Sequence, residues 1–244
     1  MLTLLAASSG LAADVPGGLT GLWEFDDPLD LGKASHGTAL GIVGTPPTHS
    51  ASLTDTQASP HTMTGVITTQ LALHHLEATM GLAANGGGAR GNQYTLVFDA
   101  LAPAAGQWRG FYQTATSNTG DAEYFIRNSN STLGRTTISY STTAAPIQQW
   151  MRLVITVDLT ASGAYRSYIN GALVHTHTKP ALDGEYSLET AKVLLFADND
   201  NENHPLSIDR VAVFSRALTA QEVADLGGPG ISLRQDPANQ PPSI

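Results

Sequence analysis

The densest group of chemically capable side chains is Asp198-Asn199-Asp200-Asn201-Glu202-Asn203, where three carboxylates at alternate positions are interleaved with amides. Hard oxygen donors crowded into one loop suit Ca²⁺. The run lacks the glycine and the distal bidentate glutamate of an EF-hand, so it is either another kind of calcium loop or a solvated polar loop. A second acidic pair, Asp121 and Glu123, lies in Asn118-Thr119-Gly120-Asp121-Ala122-Glu123. Two residues apart, they share a face if the following strand starts early. Asp121 then faces a ligand groove; the alternative is a plain hairpin tip. His175 and His177 also alternate and form a conceivable transition-metal pair. No third ligand lies near them in the sequence, which favours a solvent-facing strand. His74 and His75 point to opposite faces.

Sugar recognition uses flat aromatic rings with polar groups beside them. Trp108, Tyr112, Tyr124 and Tyr140 fall in the middle of the chain, and Trp108 is flanked by Gln107 and Arg109. Aromatic content is only 7%, so most of these rings are expected in the core.

The elements that must position these groups read as β-structure. Short runs rich in Val, Ile, Thr, Tyr and Phe recur between Gly, Asn, Asp and Pro clusters. Strands are expected over residues 21–25, 63–69, 94–100, 108–114, 123–127, 136–141, 151–157, 165–169, 172–178, 193–197 and 208–214. Asn170-Gly171 supplies the two positive-φ residues of a type I′ hairpin. One short helix is expected after Thr219, with Glu222 completing a capping box and Gly227-Gly228 ending it. Many antiparallel strands with no βαβ spacing predict a two-sheet jelly-roll sandwich. Residues 50–60 and 83–91 read as loops.

The 244 residues are 14% charged, with 21 acidic and 12 basic side chains and no cysteine. That composition excludes a disulfide scaffold, a thiolate metal site and a coiled coil. An acidic balance disfavours nucleic acid, which needs a basic face. No apolar run is long enough for a membrane helix. Residues 1–12 resemble the apolar and cleavage regions of an export signal, although no Lys or Arg precedes them. Residues 229–244 have the Pro/Gly composition of a linker to neighbouring domains. The expected domain is 19–228, in a secreted or cell-surface protein.

Four stretches resemble laminin G-like domains of the concanavalin A-like superfamily. They are Gly21-Leu22-Trp23-Glu24-Phe25-Asp26, Trp150-Met151-Arg152-Leu153-Val154, Tyr168-Ile169-Asn170-Gly171, and Arg210 to Thr219 with Glu222, Val223 and Leu226-Gly227. The resemblance covers about residues 19–228 and implies an all-β jelly roll with one short C-terminal helix. It implies a structural Ca²⁺ near the opening and closing strands, where Asp26, Asp27 and Asp209 match. It makes Trp23 and Trp150 core residues, and it puts the middle strands on a concave face. The expected ligand set there is Trp108, Tyr112, Asp121 and Tyr124. The paired-carboxylate motif of glycosidases on this fold is missing, since Glu185 and Glu189 have no intervening Asp. A non-catalytic, calcium-stabilised binding or adhesion module, directed at a polysaccharide or glycoprotein glycan, is therefore expected. A divergent glycan-degrading enzyme (glycoside hydrolase or polysaccharide lyase) and a purely structural spacer are the alternatives.

Overall fold

The computed structural model describes residues 15–71, 73–160, 164–178 and 181–234. The expected export segment and the last ten residues lie outside this set. In chain order the strands are β1 (Leu19–Trp23), β2 (Gly41–Val43), β3 (Thr48–Thr54), β4 (Thr62–Thr68), β5 (His75–Ala78), β6 (Gln93–Leu101), β7 (Arg109–Gln113) and β8 (Tyr124–Ile126). They continue with β9 (Thr132–Arg135), β10 (Ser139–Ala144), β11 (Trp150–Asp158), β12 (Ala164–Ile169), β13 (Ala172–Thr178), β14 (Val193–Leu195) and β15 (Ser207–Phe214); the helix α1 is Ala220–Asp225. Sheet I runs β13-β12-β11-β6-β15-β4-β3, with β1 beside β15; sheet II runs β10-β9-β8-β7-β14-β5-β2. The strand pairs are antiparallel throughout. The two sheets form the expected jelly-roll sandwich.

The most apolar stretch becomes a central strand. β11 pairs with β6 from Trp150↔Leu101 to Asp158↔Gln93. One row of these strands, including Leu96, Phe98, Leu153 and Ile155, faces sheet II. The alternate row, including Val97 and Val154, is covered by Leu218, Val223, Leu226 and Leu233. Thr219 caps α1 with the full capping box, and Gly227 then takes φ +68°. The Asn170-Gly171 turn is present with φ +49° and +82°.

The packed chain continues past Gly228. A strap of residues 227–234 crosses the outer face of sheet I, and its Leu233 is fully buried. Beneath it the Arg152 and Asp99 side chains are wholly buried. Arg152 Nε and Nη2 donate to the two Asp99 oxygens at 2.7 Å each. Its remaining donors reach the carbonyls of Leu226, at the end of α1, and of Ile231 in the strap, at 2.5 and 2.7 Å.

Several regions differ from the sequence reading, and β2, β5 and β9 are strands it did not expect. Residues 48–54 form the edge strand β3, although Ser, Thr, Ala and His give no apolar alternation; their backbone pairs with β4. The stretch 136–141 breaks into a 3₁₀ turn at Thr136–Ile138 and the start of β10. Loop 83–91 is pinned: Asn85 Oδ1 accepts the Asn92 and Gln93 amides at 2.7 and 2.8 Å, and Asp183 accepts the Ala89 and Arg90 amides at 2.8 Å.

Asp55 anchors the loop between β3 and β4 to the start of β11. Burial pushes its carboxyl up, but hydrogen bonds from the Gln57 side chain and the His61, Trp150 and Gln57 amides outweigh this and hold it at about 2. A depressed carboxyl stabilises the fold above its unfolded value, and that contribution is lost as pH falls through the folded one. Wild type should therefore lose this part of its stability between about pH 4 and 2. Asp55→Asn should be less stable at pH 7, with the difference narrowing across that window in thermal melts. A difference that does not change with pH refutes the assignment.

Candidate functional site

The acidic loop follows β14. Phe196 and Asn201 adopt φ +57° and +75° and turn the chain back, so that the Gly110 amide donates to Glu202 O at 3.2 Å and the His204 amide to Trp108 O at 3.0 Å. Asp198 organises the loop from inside. Its Oδ1 accepts the Ala122 amide at 3.0 Å, and its Oδ2 accepts the Asp200 and Glu202 amides at 3.1 and 3.0 Å. One ligand oxygen from each of Asp198, Asp200 and Glu202 lies within 4.8 Å of the others. The group repels itself. A hydrogen bond with Asp198, then burial and its charge, pushes Asp200 up to about 6. Burial, then the charges of Asp200, Asp198 and Asp121, pushes Glu202 up to about 7. Three converging carboxylates that resist simultaneous ionisation fit a hard divalent cation, which would remove the repulsion. These residues could hold a metal ion.

The second expected metal group does not assemble as expected. Asp27 binds Lys33 Nζ at 3.1 Å and caps the Leu29 amide. Glu24, which the sequence reading did not single out, enters the group in its place. Asp209 is the bulged residue of β15, at the register shift between Ile208 and Arg210. The bulge re-aims its carboxylate, leaving Oδ2 buried without a hydrogen bond. Burial pushes this carboxyl up to about 7, against the pull of Arg210 and with the charges of Asp99, Asp26 and Glu24 adding to it. The balancing cations are arginines. Arg234 Nε lies 2.7 Å from Glu24 and its Nη2 3.5 Å from Asp26; Arg210 lies 3.5 Å from Glu24 and 3.6 Å from Asp209. The expected Asp26–Asp27–Asp209 calcium site is thus an arginine–carboxylate cluster instead, and these residues do not fit the ion as a set.

Two of the expected ligand-binding rings are interior. Tyr112 and Tyr124 are completely buried. The Tyr112 hydroxyl meets those of Tyr94 and Tyr165 at 3.3 and 3.0 Å, and Tyr124 stacks on Tyr165. A register shift between Gly110 and Tyr112 turns both Phe111 and Tyr112 into the core. Tyr124 lies opposite Tyr112 and follows it inward.

Trp108 belongs to the opposite face of sheet II. There the register aligns Gly110, Phe125, Gly134 and Tyr140 in one row across β7 to β10. The neighbouring residues Ile126 and Leu133 point into the core, so this row points out. Gly134 has φ +144°, and a Cβ there would sit 2.2 Å from Ser139 O. Trp108 packs edge-on against Phe125 with ring centroids 5.4 Å apart, and it lies 6.3 Å from Tyr140. Trp108 and Tyr140 both remain partly exposed. Tyr140 also walls a cleft of about 370 Å³ between β10 and β13, lined by Ser139, Thr142, His175 and Thr176. His175 turns inward, 3.1 Å from Ser139 Oγ and against Tyr124. Among the described residues no third metal-binding side chain joins it and His177.

Asp121 is exposed in the loop before β8, 3.3 Å from Arg135. The same guanidinium lies 3.9 Å from Glu123 and 2.8 Å from Glu185. Glu123 is buried and accepts the Thr114 amide and hydroxyl at 2.8 Å each. Burial outweighs these bonds and pushes its carboxyl up to about 8. Arg135 had no sequence signal, because its three carboxylate partners lie 12 to 50 residues away.

A laminin G model of the concanavalin A-like lectin/glucanases superfamily matches residues 77–224. The chain belongs to that superfamily. No curated protein matches its sequence. Among solved structures, this superfamily member is similar to domain 4 of AbnA, a GH43 extracellular arabinanase from Geobacillus stearothermophilus, in complex with arabinotriose. The identity is 18% and the TM-score 0.56, over 86% of this chain and 98% of that domain. It is also similar to Trypanosoma rangeli sialidase in complex with sialic acid, at 11% identity and a TM-score of 0.59, over 91% of this chain and 35% of the sialidase. A third similarity is to the receptor binding domain of a botulinum neurotoxin C/D mosaic serotype, at 13% identity and a TM-score of 0.52, over 85% of this chain and 50% of that one. At such identities the likeness is one of fold. Among the described residues, no helix is long and apolar enough to cross a membrane.

Proposed function

We propose that this concanavalin A-like domain is a non-catalytic carbohydrate-binding module of an exported multidomain protein, with a calcium-supported ligand face on the outside of sheet II. One observation carries the reading: the partly exposed Trp108–Tyr140 pair abuts the acidic loop through the backbone pairing of β7, where Gly110 bonds Glu202 and His204 bonds Trp108. Rings offer a flat apolar surface for a sugar, and polar groups beside them orient its hydroxyls. Asp198, Asp200 and Glu202 would hold the ion, whose chemistry is to neutralise the loop and fix its course beside the rings. The arabinotriose-bound arabinanase domain and the sialic acid-bound sialidase lend a carbohydrate context to this fold. Adhesion through a glycoprotein glycan is the same chemistry on a different carrier.

Affinity electrophoresis through gels containing a panel of polysaccharides tests the proposal. Retardation by at least one glycan is expected, with Trp108→Ala weakening it about tenfold or more, a loss of over about 1.4 kcal/mol. Tyr112→Phe, which alters only the interior, should bind as wild type. No retardation by any glycan refutes the module.

A hydrolytic reading draws on one observation, the buried Glu123 carboxyl held protonated near neutral pH beside Arg135 and Glu185. Sugar release from the same panel, abolished by Glu123→Gln, would overturn the non-catalytic assignment.

A further inference from the structure

We infer that the glycan taken by this face carries a carboxylate, and that Arg127 reads it. The inference rests on the binding role proposed above and adds the substrate class.

Arg127 lies directly after β8, partly exposed. Its guanidinium carbon stands 4.5 Å from the centroid of the Tyr140 ring, the same ring that faces Trp108. Most other arginines of the chain are occupied; among the described residues Arg166, exposed on β12, also meets no carboxylate. Arg90, Arg135, Arg152, Arg210, Arg216 and Arg234 meet carboxylates. Arg109 donates to the carbonyls of Pro205 and Gln107. Among the described residues no carboxylate lies within ion-pairing distance of Arg127. This occurs in a chain with 21 acidic and 12 basic side chains, where a stray acidic partner would be easy to find.

A guanidinium held over an aromatic ring by the cation–π attraction keeps its fork of N–H donors for a second partner. That fork matches a carboxylate, which it can bind through two parallel charge-assisted hydrogen bonds. Tyr140 is at once the platform for Arg127 and a wall of the cleft between β10 and β13. The cleft contributes the hydroxyls of Ser139, Thr142 and Thr176, which can meet sugar hydroxyls. A ring, a free fork and a hydroxyl-lined cleft on one surface fit a short acidic oligosaccharide. A uronic acid and a sialic acid both supply this carboxylate.

Titration calorimetry of the full chain separates the possibilities. The ligands are trigalacturonic acid, its carboxyl-reduced form, and an α2,8-linked sialic acid trimer, each with calcium and with EDTA. At least one acidic trimer should bind about tenfold more tightly than the reduced trimer, with an affinity that falls as salt rises. Which acidic trimer binds identifies the sugar. Arg127→Gln and Arg127→Lys should lose that preference and keep both the wild-type melting temperature and any weak neutral binding. The Lys variant retains the charge but not the fork. Equal affinity for the reduced trimer overturns the inference and leaves the binding role intact. So does a preference that survives Arg127→Gln but disappears in EDTA, since a bound cation would then be holding the carboxylate. Failure of every sugar, in a panel that also includes neutral polysaccharides, removes the binding role and this inference together.

Discussion

Arg152→Ala should lower the stability of the domain by about 3–5 kcal/mol, the usual cost of leaving one member of a buried ion pair without its partner. Both side chains are wholly buried, and Arg152 makes four short contacts, two to Asp99, one to the Leu226 carbonyl that ends α1 and one to the strap carbonyl of Ile231. Its loss leaves Asp99 with Arg210 alone, at 3.2 Å. It also leaves the Leu226 carbonyl without this donor. Urea unfolding should show a lower midpoint, and amide exchange should show the strap at 227–234 opening before the sandwich does. An apolar pair such as Arg152→Met with Asp99→Leu should recover part of the loss, because removing both charges also removes their desolvation cost. A loss below about 1 kcal/mol for Arg152→Ala, the scale of an exposed pair, would mean that water reaches this site.

Calcium should raise the melting temperature, and EDTA should reverse the rise. At a hundredfold excess over the dissociation constant, a cation that binds only the folded state stabilises it by about 2.7 kcal/mol. Asp200→Asn and Glu202→Gln should each weaken this response. Asp198→Ala should abolish it and also destabilise the calcium-free protein by about 1–3 kcal/mol, since the Ala122 amide is left buried without its acceptor. The pH dependence has a definite sign. Carboxyls raised to about 6 and 7 favour the protonated folded state, so without calcium their contribution falls as pH rises through those values. Calcium needs the ionised forms. Its stabilising effect should therefore be full above about pH 7 and fade below about pH 6. A calcium response that persists in Asp198→Ala would place the ion elsewhere.

Much of the sandwich was legible because its central strands are built from residues that must be buried. Residues 151–157 could hardly be anything but an inner strand, and Asn170-Gly171 permits few turns. Edge strands were not legible in the same way. β3 is held by backbone pairing that any side chain allows, so Thr, His and Ser reveal nothing of it. The acidic loop was readable because its carboxylates sit at alternate positions of one short segment. The aromatic face was misassigned at Tyr112 and Tyr124 by a single bulge. Strict alternation would place Phe111 and Tyr112 on opposite faces, whereas the register shift at Gly110 sends both inward. The arginine cluster around Asp209 was hidden for another reason: Arg234 and Glu24 are 210 residues apart, and no local pattern encodes their meeting.

The strap has a consequence for presentation. At one end of the described chain, Val15 packs into the apolar layer on the outer face of sheet I; at the other, Leu233 sits in that same layer. Val15 and Leu233 thus both lie on the outer side of sheet I. Trp108, Arg127 and Tyr140 look out from sheet II, in the reverse direction. A carrier joined on that side would leave the ring-bearing surface turned away from it.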